Sequence, residues 1–170
     1  LPGNERAVAG LAAAYPFDYL IGSVHFIGDW AFDHPAEIAR FDAWDRRRLY
    51  ETYFRLVREA IRTGLFDVVG HVDLVKKFGH RLEGDWSDIV AAVCDEARCH
   101  RQCIEINTAG LDKPVGEQYA SEAIVRQASA AGVPIAFGSD AHAPREVGRH
   151  FAQAVALARA AGYSSYACFE

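Results

Sequence analysis

Helical stretches alternate along this chain with short apolar runs, and three of the helices close on a glycine. Arg46 to Thr63 carries Leu49, Tyr53, Leu56, Val57, Ala60 and Ile61 at helical spacing, so one face is buried. Gly64 offers a left-handed stop, and a strand from Leu65 to Val69 follows. Trp86, Ile89, Val90, Val93 and Ala97 mark a second helix, from Ser87 to about His100, which leads into a strand from Cys103 to Asn107. Ser121 is a candidate cap for a third helix through Ala131, with Ile124 and Val125 inward; Gly132 ends it and the strand 133–137 begins. A last helix from Arg149 to Ala161 buries Phe151, Val155 and Ala158, ends at Gly162, and leaves Tyr163 to Phe169 as a closing strand. This alternation predicts a parallel sheet covered by helices. An open doubly wound sheet and a barrel both satisfy it.

The ends of the apolar runs favour the barrel. Tyr19-Leu20-Ile21-Gly22-Ser23-Val24 stops at His25, and Phe66-Asp67-Val68-Val69-Gly70 stops at His71. The run Val133 to Phe137 opens into Gly138-Ser139-Asp140-Ala141-His142. In a parallel α/β barrel the C-terminal strand ends surround one site, whereas an open sheet gathers its ligands at one switch point. Histidine and carboxylate donors on three strand ends suit a metal-dependent hydrolase. Each residue also has a plainer reading. A lone histidine at a strand end is more often a hydrogen-bonded structural group. Asp140 has an alternative role in capping the turn at Pro144-Arg145. Taken jointly, three ends with the same chemistry outweigh those readings.

Other residues extend the candidate site. Asp73 is placed to orient an imidazole as a supporting carboxylate. Glu105 and Asn107 share a face of their strand, and a glutamate within an apolar strand is costly unless paired. Glu105 is expected to meet a cation inside the barrel or to form a structural ion pair. Lys76, Lys77 and Arg81 flank His80, where they either hold phosphate or form a solvated charge run. The loops 25–45 and 107–120 are expected on the site face, the first carrying Trp30, Phe32, His34 and Trp44. His34 and His80 are possible substrate contacts there. His100 and His150 are expected at the surface, away from the site.

The 170 residues suffice for one domain spanning 1–170, and the 51% hydrophobic content gives it a real core. A net charge of −5 argues against a nonspecific nucleic-acid binder, and no apolar run approaches the roughly 20 residues of a membrane span. Leu1 opens no signal-peptide pattern. Cys94, Cys99, Cys103 and Cys168 lack Cys-x-x-Cys spacing. Reduced thiols in a cytoplasmic protein explain them better than a soft-metal site at Cys99, His100 and Cys103. The chain contains no methionine, which is expected of a piece of a longer gene product.

Four stretches resemble the polymerase and histidinol phosphatase (PHP) superfamily, in particular its monofunctional histidinol-phosphate phosphatases. They are Phe17-Asp18-Tyr19-Leu20-Ile21-Gly22-Ser23-Val24-His25-Phe26-Ile27, Gly70-His71-Val72-Asp73-Leu74-Val75-Lys76-Lys77-Phe78, Glu105-Ile106-Asn107-Thr108-Ala109-Gly110-Leu111 and Gly138-Ser139-Asp140-Ala141-His142. The resemblance implies a distorted TIM-like (β/α)7 barrel, truncated at its N-terminus, with up to three divalent metal ions in the complete protein. By position His25 and His71 would bind one metal, Asp140 a second and His142 a third. Asp140 and His142 would also be catalytic, and Asn107, Glu105, Lys77 and Lys113 would bind substrate. A bridging hydroxide would attack the phosphorus of L-histidinol phosphate, releasing L-histidinol and phosphate. Zinc, manganese and iron all suit these donors.

The implied partner is a small-molecule phosphate ester, with no nucleic acid and no membrane. The family's His-x-His opening, two further histidines and a bridging glutamate are not in this sequence. The chain alone is therefore expected to be inactive or nearly so. An acid at Asp112, where the family leads one to expect a base, leaves phosphate recognition to Lys113 or elsewhere. Hydrolysis of another phosphate ester, and a non-catalytic metal-binding domain, are the alternatives.

Overall fold

The structure is a computed structural model that describes residues 3–169. Its sheet is parallel throughout, in the order β1 (Ile21–Gly22), β2 (Val68–Val69), β3 (Cys103–Asn107) and β4 (Ile135–Gly138). Ile21 pairs with Val68, Val68 with Cys103, and Asn107 with Gly138. Neighbouring strands thus follow one another in sequence. Among the described residues the sheet has four strands and is not closed.

After α1 (Glu5–Ala14) come the connecting helices α2 (Arg46–Arg62), α3 (Ser87–Cys99), α4 (Glu122–Ala130) and α5 (Phe151–Ala160). They match the sequence periodicity in α2, α3 and α4, whereas α5 buries Ala154 and Ala158 and leaves the expected Phe151 and Val155 half-buried. In α2 the buried side chains are Leu49, Tyr50, Tyr53, Phe54, Val57 and Ile61, a single stripe capped by Asp45, whose carboxylate accepts from the Arg48 amide. Gly64 and Gly132 take the left-handed stop conformations that end α2 and α4. Ser121 precedes α4, but its hydroxyl makes no capping bond. Sequence periodicity did not reveal α1, which buries no residue.

Three local expectations change. Regular pairing in the first two strands is shorter than the apolar runs, because Asp67 intervenes. Its carboxylate accepts from the Leu20 amide, and the Asp67 and Val68 amides both converge on the Leu20 carbonyl. Tyr163 to Phe169 forms no strand. It meets β4 through one ladder-like bond, Ala167 to Ile135, and is tied down by the Tyr163 hydroxyl donating to the Val133 carbonyl. The loop 25–45 does not offer all its aromatics to a ligand. Trp30, Phe32 and Phe41 are at most 1% exposed and join Tyr53 and Phe54 in the core. Phe41 also stacks on His80 at 4.1 Å, which removes that imidazole from the candidate contacts.

Candidate active site

β1 and β2 bring two imidazoles together. Gly70 donates its amide to the Gly22 carbonyl, and a side chain at Gly70 would strike Ser23 and Ile21. That close approach lets the chain beyond each strand turn toward the same point. His25 and His71 meet edge to face, with ring centroids 4.9 Å apart. His71 takes a left-handed backbone (φ 27°) and is only 8% exposed. Its amide donates to Glu105 Oε2 at 2.8 Å, which holds the turn from the neighbouring strand.

The electrostatics make His71 an available donor. Burial first, and then the nearby His25, lower its pKa to about 4, while the charges of Asp140 and Asp33 act in the opposite direction. The ring is therefore neutral at pH 7. Its buried Nδ1 has no hydrogen-bond partner among the described residues. An unpartnered nitrogen on a neutral imidazole, beside a second imidazole, fits a divalent cation that prefers nitrogen donors.

Asp33 supports His25. Its Oδ2 lies 3.1 Å from His25 Nδ1, and Lys77 Nζ is 3.5 Å from the same oxygen. Burial pushes the Asp33 carboxyl up, but His25 and Lys77 outweigh it and hold the carboxyl below its ordinary value. Sequence reasoning missed Asp33. It lies eight residues beyond His25 in a loop, where no periodicity signals a partner.

Glu105 accepts hydrogen bonds and forms no side-chain ion pair among the described residues. Its Oε2 also accepts from Asn107 Nδ2 at 3.0 Å, while Asn107 Oδ1 accepts from the Ala109 amide. Burial, joined by the charge of Asp140, pushes the Glu105 carboxyl up against those two hydrogen bonds. Its other oxygen fills the space that a side chain at Gly138 would need. Glu105 and Asn107 are thus buried bracing groups, already engaged, rather than open substrate contacts.

Asp140 has a left-handed backbone (φ 47°) at the end of β4, and its charge is felt at His71, Glu105 and Tyr119. His142 is oriented by its own turn. Its Nδ1 lies 2.8 Å from the Asp140 carbonyl, and its amide donates to Glu146. Because the carbonyl only accepts, Nδ1 carries the hydrogen and Nε2 is left for another partner. Both residues are exposed. Among the described residues, no three His, Cys, Asp or Glu side chains are grouped closely enough to hold a metal ion. The two imidazoles form the compact part of the site, and Asp140 approaches it electrostatically.

The remaining candidates have other tasks. Asp73 does not orient His71. It is fully buried, pairs with Lys76 Nζ at 2.8 Å and accepts from the Ser121 amide. Lys76 and Arg81 both pair with Glu117, so the basic cluster is neutralised in place. Lys77 is spent on Asp33, leaving Lys113 exposed without an ion pair among the described residues. His34 caps the turn at Ala36, and His100 faces Glu96. His150 departs from expectation. Its Nε2 lies 3.0 Å from Asp112, in the turn after β3, so it sits at the same end of the sheet as Asn107. The chain beyond β4 folds back there, where the Thr108 hydroxyl donates to the Arg149 carbonyl. Cys94 and Cys103 are buried thiols, pushed by burial up to about 11. A cavity of about 530 Å³ adjoins His25, between α1, α2 and the end of β1.

The PHP domain family model matches residues 4–109. A Deinococcus radiodurans protein named "Probable histidinol-phosphatase" is 44% identical over 161 residues, covering 95% of this chain and 61% of that protein. The chain thus spans about three fifths of the length of the curated relatives it matches. A crystal structure from Listeria monocytogenes, described provisionally as a histidinol phosphatase, superposes with a TM-score of 0.78 at 25% identity, over 90% of this chain and 64% of that one. A Lactococcus lactis histidinol phosphate phosphatase, solved with zinc, L-histidinol and phosphate, has the same fold, with a TM-score of 0.76 at 19% identity. That match covers all of this chain and 66% of the other.

Proposed function

The chain belongs to the PHP domain family, and from that premise we propose that its site serves the metal-dependent hydrolysis of L-histidinol phosphate to L-histidinol and phosphate. The observation that carries this reading is the unpartnered Nδ1 of a buried, neutral His71 set 4.9 Å from the ring of His25. These two residues would hold one divalent ion, and Asp140 and His142 would contribute to others. When bound, such ions supply positive charge to the phosphoryl oxygens and acidify water. Zinc, manganese and iron remain equivalent by donor chemistry.

The chain's own residues organise the rest. Glu105 holds the His71 turn from β3, so the ring is aimed before any ligand arrives. Lys113, exposed in the loop after β3, is a cation that a phosphate could meet at this end. A phosphate ester as substrate suits the acidic chain better than nucleic acid does, and among the described residues no helix is long and apolar enough to cross a membrane. A cytoplasmic place in histidine biosynthesis follows from that substrate.

The test is phosphate release by the metal-loaded, active protein. His71→Ala should lower turnover of histidinol phosphate by at least ~100-fold, because a ligand positions charge needed in the transition state. Histidinol phosphate should also be preferred over simple sugar phosphates. Equal rates on all esters would point to a broader phosphoesterase, and unchanged activity in His71→Ala would refute the site.

A further inference from the structure

We infer that Asp33 is a positioning residue that fixes the tautomer and direction of the His25 imidazole, and that Lys77 locks Asp33 in place. The inference rests on the metal-site reading above and extends it to residues outside the ligand set. A carboxylate only accepts hydrogen bonds. Asp33 Oδ2, 3.1 Å from His25 Nδ1, therefore selects the ring with its hydrogen on Nδ1 and leaves Nε2 free to act as a donor to a cation.

The loop gives Asp33 a firm base. Its neighbour Phe32 is fully buried and Trp30 is 1% exposed, so the backbone carrying Asp33 is packed into the core. Lys77 then grips the residue at two points. Its Nζ donates to the Asp33 carbonyl at 2.7 Å and lies 3.5 Å from Oδ2. Lys77 comes from the segment that begins at His71, where the short turn Leu74–Lys76 projects it across to the loop. The clamp thus links the two sides of the site: His71 to Lys77 along the chain, Lys77 to Asp33 through space, and Asp33 to His25. It sets the position of one imidazole relative to the other. It also assigns Lys77 a task other than holding phosphate.

The experiment uses the 170-residue chain with Asp33→Asn, Asp33→Ala and Lys77→Met. Long-range proton–nitrogen NMR at pH 8 reads the His25 tautomer without metal, and calorimetric titration with zinc chloride reads affinity. The unsubstituted chain should show His25 with hydrogen on Nδ1. Asp33→Ala should shift the ring toward the Nε2–H form and weaken zinc binding by about 10–100-fold. Asp33→Asn retains an acceptor oxygen and should fall between, which also keeps the test valid if the alanine variant unfolds. Lys77→Met should move both readouts in the same direction by a smaller factor. An unchanged tautomer and affinity in both Asp33 variants would overturn the inference. Failure of the metal reading looks different. In that case His25→Ala and His71→Ala would bind zinc as the parent does, and the tautomer alone would decide the role of Asp33.

Discussion

β3 runs for five residues with every side chain buried, whereas β1 pairs through two residues and leaves Ile21 48% exposed. The two strands lie in one sheet, yet they hold their site residues by different means. At β3 the sheet itself does the work, since Glu105 and Asn107 are fixed by neighbours on both sides. At β1 one flank is open. Leu11, Tyr15, Phe17, Tyr19 and Phe26, in the segments before and after it, are large exposed apolar side chains. An unpaired edge with large apolar groups is prone to association. His25 on that side is held by a loop and a hydrogen bond to Asp33, not by strand packing. Two residues of one site can therefore have very different tolerance to change around them.

The same substitution at the two strands tests that contrast most severely. Ile104→Ala on β3 removes a fully buried side chain and should cost roughly 2–5 kcal/mol, whereas Ile21→Ala on β1 should stay within about 0.5 kcal/mol. Urea denaturation of both variants measures the difference, and comparable losses would dissolve the distinction. Next in size is Lys76→Met, where the contrast is sharpened by a charge. Lys76 is 4% exposed and neutralises the buried Asp73, so its loss should cost about 3 kcal/mol. Adding Asp73→Asn should restore part of that loss, because the uncompensated charge is then gone.

The smallest effect lies on the outer layer, where Arg58 and Arg62 of α2 both pair with Glu96 of α3. Burial pushes the Glu96 carboxyl up, but the two arginines outweigh it and hold it below its ordinary value of 4.5. A carboxylate whose folded pKa is depressed adds stability above the unfolded pKa, and loses it as pH falls through the folded one. Glu96→Gln should therefore cost about 1 kcal/mol at pH 7, and the difference from the parent should shrink as pH falls below about 4.5. A constant difference from pH 7 to pH 3 would show that the contact acts by packing alone.

Much of this architecture is written in periodicity. The limits of β3 and of α2 follow from apolar spacing, and the strand-end histidines stand out because they terminate apolar runs. What periodicity misses is made by loop paths. Asp33 reaches His25 only because Trp30 and Phe32 turn inward, which no spacing rule encodes. Lys76 reads as part of a solvated charge run. It is buried because the turn after β2 folds against Glu117 and Gln118: the Glu117 carboxylate pairs with its ammonium, which also donates to the Gln118 backbone carbonyl. Tyr163 to Phe169 has the composition of a strand, but a single bond to Ile135 does not make a ladder.

The fit between Glu105 and Gly138 restricts the order in which this site can change over time. A methyl group at position 138 would overlap the Glu105 carboxylate, so Gly138→Ala arriving first meets a closed door. If position 105 shortens first, the room exists, but the His71 amide loses its acceptor. Each route passes through an impaired intermediate, and the two positions can be exchanged only as a pair. Descendants of this chain should therefore inherit the glutamate and the glycine together, as one unit of heredity spread over two strands.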